Sequence, residues 1–291
     1  MTNLSIMLPL VAAMSVAAAV TGLHRMVPPR LAARCVAVTM VVVVVAALPT
    51  VWILSLAFLA HTPFVGTGFE WCVKAFGVHQ GVPVAIGLPA LIVAASGSCR
   101  VVGTIRANRR LRHDAPGSVE VAGHDRPFAF TMPGRGGHIV LSSALVDLLD
   151  DEEREVVVAH EAAHGRHRHD RYLLIAKITA AAVPFLRPLA SRLEFSLERW
   201  ADEAAVAQCG DRRFVARTLG KVALGHAAPR GALTFAGLGV AARVAALLAP
   251  PVRQPRRPLV VGLWSAIATT GVLALFQIHH LGGLTGALCP G

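Results

Sequence analysis

The chain has 291 residues, of which 54% are hydrophobic, 15% charged and 5% aromatic. So much apolar content excludes a disordered chain and an ordinary soluble domain. The net charge of +11 would suit nucleic acid or an anionic lipid surface, and the position of the charges decides between them.

In chain order, four apolar stretches approach the roughly 20 residues that a helix needs to cross a bilayer core. Leu4 to Gly22 carries no charge. Cys35 to Ala60 carries none either, with five consecutive valines and an internal Pro49. Val82 to Cys99 is also uncharged, with Pro83 and Pro89 near its start, and Leu259 to Ile278 is the fourth. The first stretch has no basic residue ahead of it, so it reads as a retained span and not as a cleaved signal.

The loop between the first two stretches holds Arg25, Arg30 and Arg34, whereas His61 to Gly81 holds only Glu70 and Lys74. In a four-span arrangement every lysine and arginine except Lys74 falls on one side. The positive-inside pattern makes that side the cytoplasm and puts both termini outside the plasma membrane. The basic balance is then a topology signal facing anionic lipid. No motif accompanies it that would mark direct nucleic-acid binding. Cys72 and Cys289 share the outer side, and a disulfide between them is expected. Cys35, Cys99 and Cys209 fall on the reducing side or in the membrane.

The expected layout is three spans with short loops over 1–99, a cytoplasmic domain over 100–249, a Pro/Arg linker over 250–258, and a fourth span with a short outer tail over 259–291. Within the domain, two strand-like runs, Pro127 to Met132 and His138 to Leu141, read as a hairpin. Ser142 or Ser143 caps a short helix ending near Leu149. Asp150 to Glu153 form an acidic first turn for the next helix. Pro184 and Pro188 break the chain, and a helix over Leu189 to Cys209 closes at Gly210. Asp211 caps the one after it.

The helix that follows the acidic turn reads "EVVVAHEAAHGRHRHD", residues 155 to 170. His160, Glu161 and His164 spell H-E-x-x-H. Histidines four apart share a helical face and can grip one Zn²⁺, while Glu161 can reach a water on that ion as a general base. The valines and alanines around them belong to a buried helix, where unpaired ionisable groups would be costly. Catalysis needs a third ligand and an open position. "EFSLERWADEAA", residues 194 to 205, offers Glu194, Glu198 and Asp202 on one stripe. Glu198 is the expected ligand, with Asp202 one turn on to orient a ligand histidine, and Glu194 is the rival. Asp170 would serve if the first helix turned at His167. That position lacks glycine, so the helix is expected to continue, leaving His167 and His169 exposed or membrane-facing. Tyr172 and His226 are candidate donors to a developing oxyanion.

"HEAAHGRHRHD", a proline-broken segment and "ERWADEAA" together resemble the BlaR/MecR-type antirepressor membrane zinc metallopeptidases. More distantly they are similar to the CAAX-prenyl and heat-shock membrane proteases, all gluzincins. The resemblance implies a mainly α, multi-span membrane protein with about four transmembrane helices and a cytoplasmic zincin-like α+β domain. It implies an edge strand over Phe128 to Met132, with Phe128, Ala129 and Phe130 as its leading residues, that pairs with an extended protein substrate, such as a winged-helix repressor. Antibiotic sensors of that type also carry an S-x-x-K nucleophile in an outer domain, and no lysine here has serine at that spacing. The resulting expectation is an integral-membrane zinc endopeptidase acting on a cytoplasmic regulatory protein. The alternatives are a signalling scaffold with a structural zinc site and a general quality-control protease. Oligomeric state is not encoded in any of these features.

Overall fold

The computed structural model describes residues 3–62, 83–111, 118–133, 137–225, 235–252, 255 and 257–286. Helices dominate. Three long ones come first: α1 (Asn3–Leu23), α2 (Pro29–Ala60) and α3 (Val84–Leu111). Three stretches are long and apolar enough to cross a membrane, namely Pro29–Ala60, Val84–Arg110 and Arg257–Phe276, and they contain most of the second, third and fourth stretches marked in the sequence. The first stretch is helical too, within α1.

Helix α2 is the hub. Its buried Ala33, Val36, Met40 and Val43 meet Ala13 and Ala17 of α1 and Ile267 and Ala274 of α10 (Arg257–Gly286). Small residues at these crossings let the helix backbones approach closely. The same buried cluster runs on into Ala176 of α6 (His169–Ala182) and Leu193, Leu197 and Trp200 of α7 (Arg187–Cys209). The apolar helices and the helices of residues 169–209 therefore share one core.

Between α3 and α6 lies a small three-stranded sheet: β1 (Val119–Ala122), β2 (Ala129–Thr131) and β3 (Ile139–Ser142), in the order β1-β3-β2. The expected β2–β3 hairpin is present and antiparallel. β1, which its four-residue length hid in the sequence, adds a parallel strand on the other side of β3. Ser142 caps α4 (Ser143–Leu148), accepting from the Leu145 amide. Asp150 and Glu153 form a reciprocal capping box at the start of α5 (Asp151–Arg166), which satisfies two otherwise orphaned amides. After α7, Gly210 takes a left-handed conformation, and Asp211 caps α8 (Arg212–Gly225). A further helix, α9 (Phe235–Leu248), precedes the Pro/Arg segment. Cys72 and Cys289 lie outside the described residues.

Where α5 ends, Gly165 touches Gly137. A Cβ on Gly165 would come within 2.9 Å of the Gly137 Cα, and Gly137 itself has φ +67°. Neither backbone can yield cheaply. Gly165→Ala is expected to cost about 1–3 kcal/mol through overpacking, read as a lower melting temperature in detergent. Gly220→Ala, whose Cβ would meet nothing within 4 Å, should leave it unchanged or slightly raised.

Candidate metal centre

Helix α5 is buried on two faces. Val156 and Ala159 join Ala205, Val215, Ala216 and Leu247 in one cluster. Val157, Val158 and Ala162 pack beneath β3 with Leu141, Leu145 and Leu149. The remaining stripe carries His160, Glu161 and His164 towards α7, from which Glu198 and Asp202 point back.

The Nε2 atoms of His160 and His164 are 3.2 Å apart. Each lies 3.5 Å from a carboxylate oxygen of Glu198. Tetrahedral zinc with bonds of about 2.0–2.2 Å sets its ligand atoms roughly 3.3–3.5 Å from one another. Among the described residues this is the one trio of metal-ligating side chains that could share an ion. The formal charges of Glu161, Glu198 and Asp202, set against that of Arg243, leave two negative charges, which a dication balances. The donor set and its spacing therefore fit a divalent metal.

Each donor is held from behind. His160 Nδ1 is 3.1 Å from Asp202 Oδ1. Asp202 is gripped in turn by Arg243 of α9 through two bonds, Nη2 to Oδ1 at 2.6 Å and Nε to Oδ2 at 2.8 Å. The third guanidinium nitrogen of Arg243 reaches Glu198 Oε2 at 2.8 Å. His164 Nδ1 meets His169 Nδ1 at 3.0 Å. The hydroxyl of Thr131 in β2 lies 2.7 Å from the Glu161 carbonyl oxygen and 2.9 Å from its carboxylate Oε2, and donates its one proton to either.

Electrostatics follow from these contacts. Burial alone would depress the His160 imidazolium, but hydrogen bonds to Asp202 and Glu198 outweigh it and push the group up to about 10. Burial would likewise raise the Glu198 carboxyl, yet His160 and the Arg243 guanidinium hold it well below the usual carboxylate range. Asp202 is lowered despite its burial, by Arg243 first and then by His160. His169, enclosed and beside His164 and His167, falls to about 3 and is neutral. His160 thus sits between two carboxylates, a place that favours positive charge.

A family model for peptidase family M48 matches residues 100–251, just over half of the chain. The chain belongs to peptidase family M48. It is accordingly a metallopeptidase of a generally zinc-dependent family, and its His-His-Glu cluster lies inside the matched region. No curated protein and no solved structure matches the chain.

In this M48 chain several expectations from sequence are corrected. Helix α5 does not continue past His167: it stops at Arg166, and Arg168 adopts φ 56°, ψ 45° before α6 begins. A left-handed residue other than glycine costs about 1–2 kcal/mol. Here the turn folds α6 back so that His169 reaches His164. His169 is consequently fully buried, neither exposed nor membrane-facing, and its Nε2 has no partner among the described residues. His167 stacks on Trp200, with ring centroids 4.6 Å apart. Even with the turn present, Asp170 does not join the trio; it pairs with Arg168 at 3.4 Å. Glu194 is exposed and stands apart as well. Tyr172 packs edge-on against Trp200 and His169. His226 lies outside the described residues. Sequence reading missed Arg243, His169 and the bond from Thr131 to Glu161. Arg243 had a usable signal: it is the one charge in the apolar segment "FAGLGVAARVAALL", and a charge buried there needs a carboxylate.

Proposed function

We propose that this metallopeptidase is an integral-membrane zinc endopeptidase whose site opens on the cytoplasmic side, and that it cuts an internal regulatory protein. His160, His164 and Glu198 hold the zinc, Glu161 is the general base, and Asp202 orients His160. The observation that carries the reading is the convergence of His160, His164 and Glu198 beside a glutamate tied to a strand edge. Membrane placement is supported by three long apolar helices that turn side chains such as Ile92, Val261 and Leu275 outward. The side is supported by Arg30 and Arg34 at the start of α2, Arg106 and Arg109 at the end of α3, and Arg257 at the start of α10. The resemblance of the paired motifs to antirepressor peptidases supports a regulatory substrate such as a winged-helix repressor.

When bound, Zn²⁺ acidifies a water molecule and polarises the scissile carbonyl. Glu161 takes the proton of the attacking water and returns it to the departing amine nitrogen. Thr131 restrains that carboxylate so that one oxygen stays directed at the water. Asp202 fixes the His160 tautomer with Nδ1 protonated, which leaves Nε2 as a lone-pair donor.

The substrate adds a strand to β2. Met132 N–H donates to His138 O, and Ser142 N–H donates to Phe128 O. By alternation, Phe128, Phe130 and Met132 turn their backbone groups towards β3. Ala129 and Thr131 turn theirs to the outer edge, which no strand covers among the described residues. Ala129 and Thr131 would therefore bond the substrate backbone, while Phe128 and Phe130 would supply side-chain walls. Phe130 is 45% exposed.

The test is metal removal. The purified chain should hold about one equivalent of zinc by elemental analysis and cleave members of a quenched-fluorescence peptide library. Chelation should abolish cleavage, and zinc but not magnesium should restore it. Undiminished cleavage by the zinc-free chain would overturn the reading.

A further inference from the structure

A second site lies beside the metal centre. Between α2, α6 and α10 is a cleft of about 740 Å³, within the range of small-molecule sites. One end is cationic and is lined by Arg34, His167, Arg168 and Arg171. The other is apolar and runs along Val38 and Val41 of α2, Ile175 of α6 and Trp264 of α10. Arg34 and Trp264 each lie within two turns of the start of a membrane helix, at interfacial depth.

The charge in this cleft is not compensated. Of its cations only Arg168 has a carboxylate partner, Asp170; Arg34 and Arg171 have none among the described residues. Arg34 lies over the Trp200 ring at 5.9 Å, beside Arg30 at 5.7 Å, with His167 stacked on the same ring. Burial first, and then the positive field of Arg166, Arg30 and Arg34, lowers the His167 imidazolium. The polar end suits an anion, and the other end suits a hydrocarbon chain.

We propose that this cleft binds one anionic phospholipid, with its phosphate on Arg34 and Arg171 and an acyl chain along Val38, Val41 and Ile175. The cleft adjoins the metal centre through His167, which caps the end of α5 and stacks on Trp200 of α7, two residues beyond Glu198. An occupied site would brace the turn that delivers His169 to His164.

Native mass spectrometry of the full chain in detergent tests the proposal, using phosphatidylglycerol and phosphatidylcholine of identical chains. One phosphatidylglycerol should be retained, with about tenfold preference over phosphatidylcholine, since each interfacial arginine contributes appreciably to anionic-lipid binding. Arg171→Gln, on an exposed side chain, should lose most of that preference, and Arg34→Gln/Arg171→Gln should lose all of it. Arg106→Gln/Arg109→Gln, outside the cleft, should keep it. Val41→Trp should weaken both lipids by filling the apolar end. Millimolar inorganic phosphate should not displace the lipid.

Equal retention of both lipids by the wild type, an unchanged preference in Arg171→Gln, or displacement by phosphate would each overturn the site. The inference rests on the membrane placement proposed above, which alkaline carbonate extraction tests separately. A chain released by carbonate loses that placement and the lipid site with it. A retained, zinc-loaded chain that ignores lipid charge loses only the lipid site.

Discussion

Glu161→Gln is expected to retain about one zinc per chain and to lose peptide cleavage by about 10²–10⁴-fold, the usual contribution of a positioned general base. The side chain stands next to His160 but is not part of the trio that could hold an ion. Glutamine keeps its size and can still accept the Thr131 hydroxyl proton at its amide oxygen, so the fold and the β2–α5 contact should survive. What disappears is the proton acceptor. Zinc content by elemental analysis, read with kcat on the best library peptide, separates the outcomes. Loss of both zinc and activity would show a ligand or a structural prop, and unchanged kcat would remove Glu161 from the chemistry.

Arg243→Met should have the largest effect on stability. The guanidinium lies against both Asp202 and Glu198 with only 11% of its side chain exposed. Methionine roughly fills the volume but leaves the enclosed Asp202 carboxylate, and the more open Glu198 carboxylate, without their cation. Breaking a buried ion pair from one side costs about 3–5 kcal/mol. Zinc on Glu198 would offset part of that loss, whereas Asp202 would keep only His160. The expected result is a lower melting temperature in both forms, with a wider gap between zinc-free and zinc-loaded protein than in the wild type. A melting temperature matching the wild type in both forms would show that the Arg243 ion pairs do not stabilise the fold. Arg243→Lys should fall between, since one ammonium cannot span both carboxylates.

The legible parts of the site were those written as local spacing. His160 and His164 are four apart, as are Glu198 and Asp202, and each pair had to share a helical face. Asp150 and Glu153 marked the start of α5 because a reciprocal cap has a fixed three-residue offset. The parts that stayed hidden depend on long-range packing. Arg243 meets Asp202 across 41 residues, and no periodicity in α9 names its partner. The turn at Arg168 runs against local preference, because arginine does not favour positive φ. It exists because the packing of His169 against His164, Trp200 and Tyr172 outweighs that cost. β1 was too short to stand out. The long apolar helices were plain from composition, whereas their sharing of one core with α6 and α7 was not, since alanine and leucine serve exposed apolar and buried positions alike.

Asp202 serves two clients at once, the ring of His160 and the fork of Arg243. The tilt of that imidazole is therefore governed from a helix that enters the chain only after both motifs of the candidate metal centre are complete, and that lies directly ahead of the last apolar helix. A nascent or truncated chain ending before residue 235 would have every ligand in its sequence and yet lack the strut that keeps one of them aimed. Metal capture and full alignment of the centre would then be separate events, the second waiting on the synthesis of the C-terminal fifth.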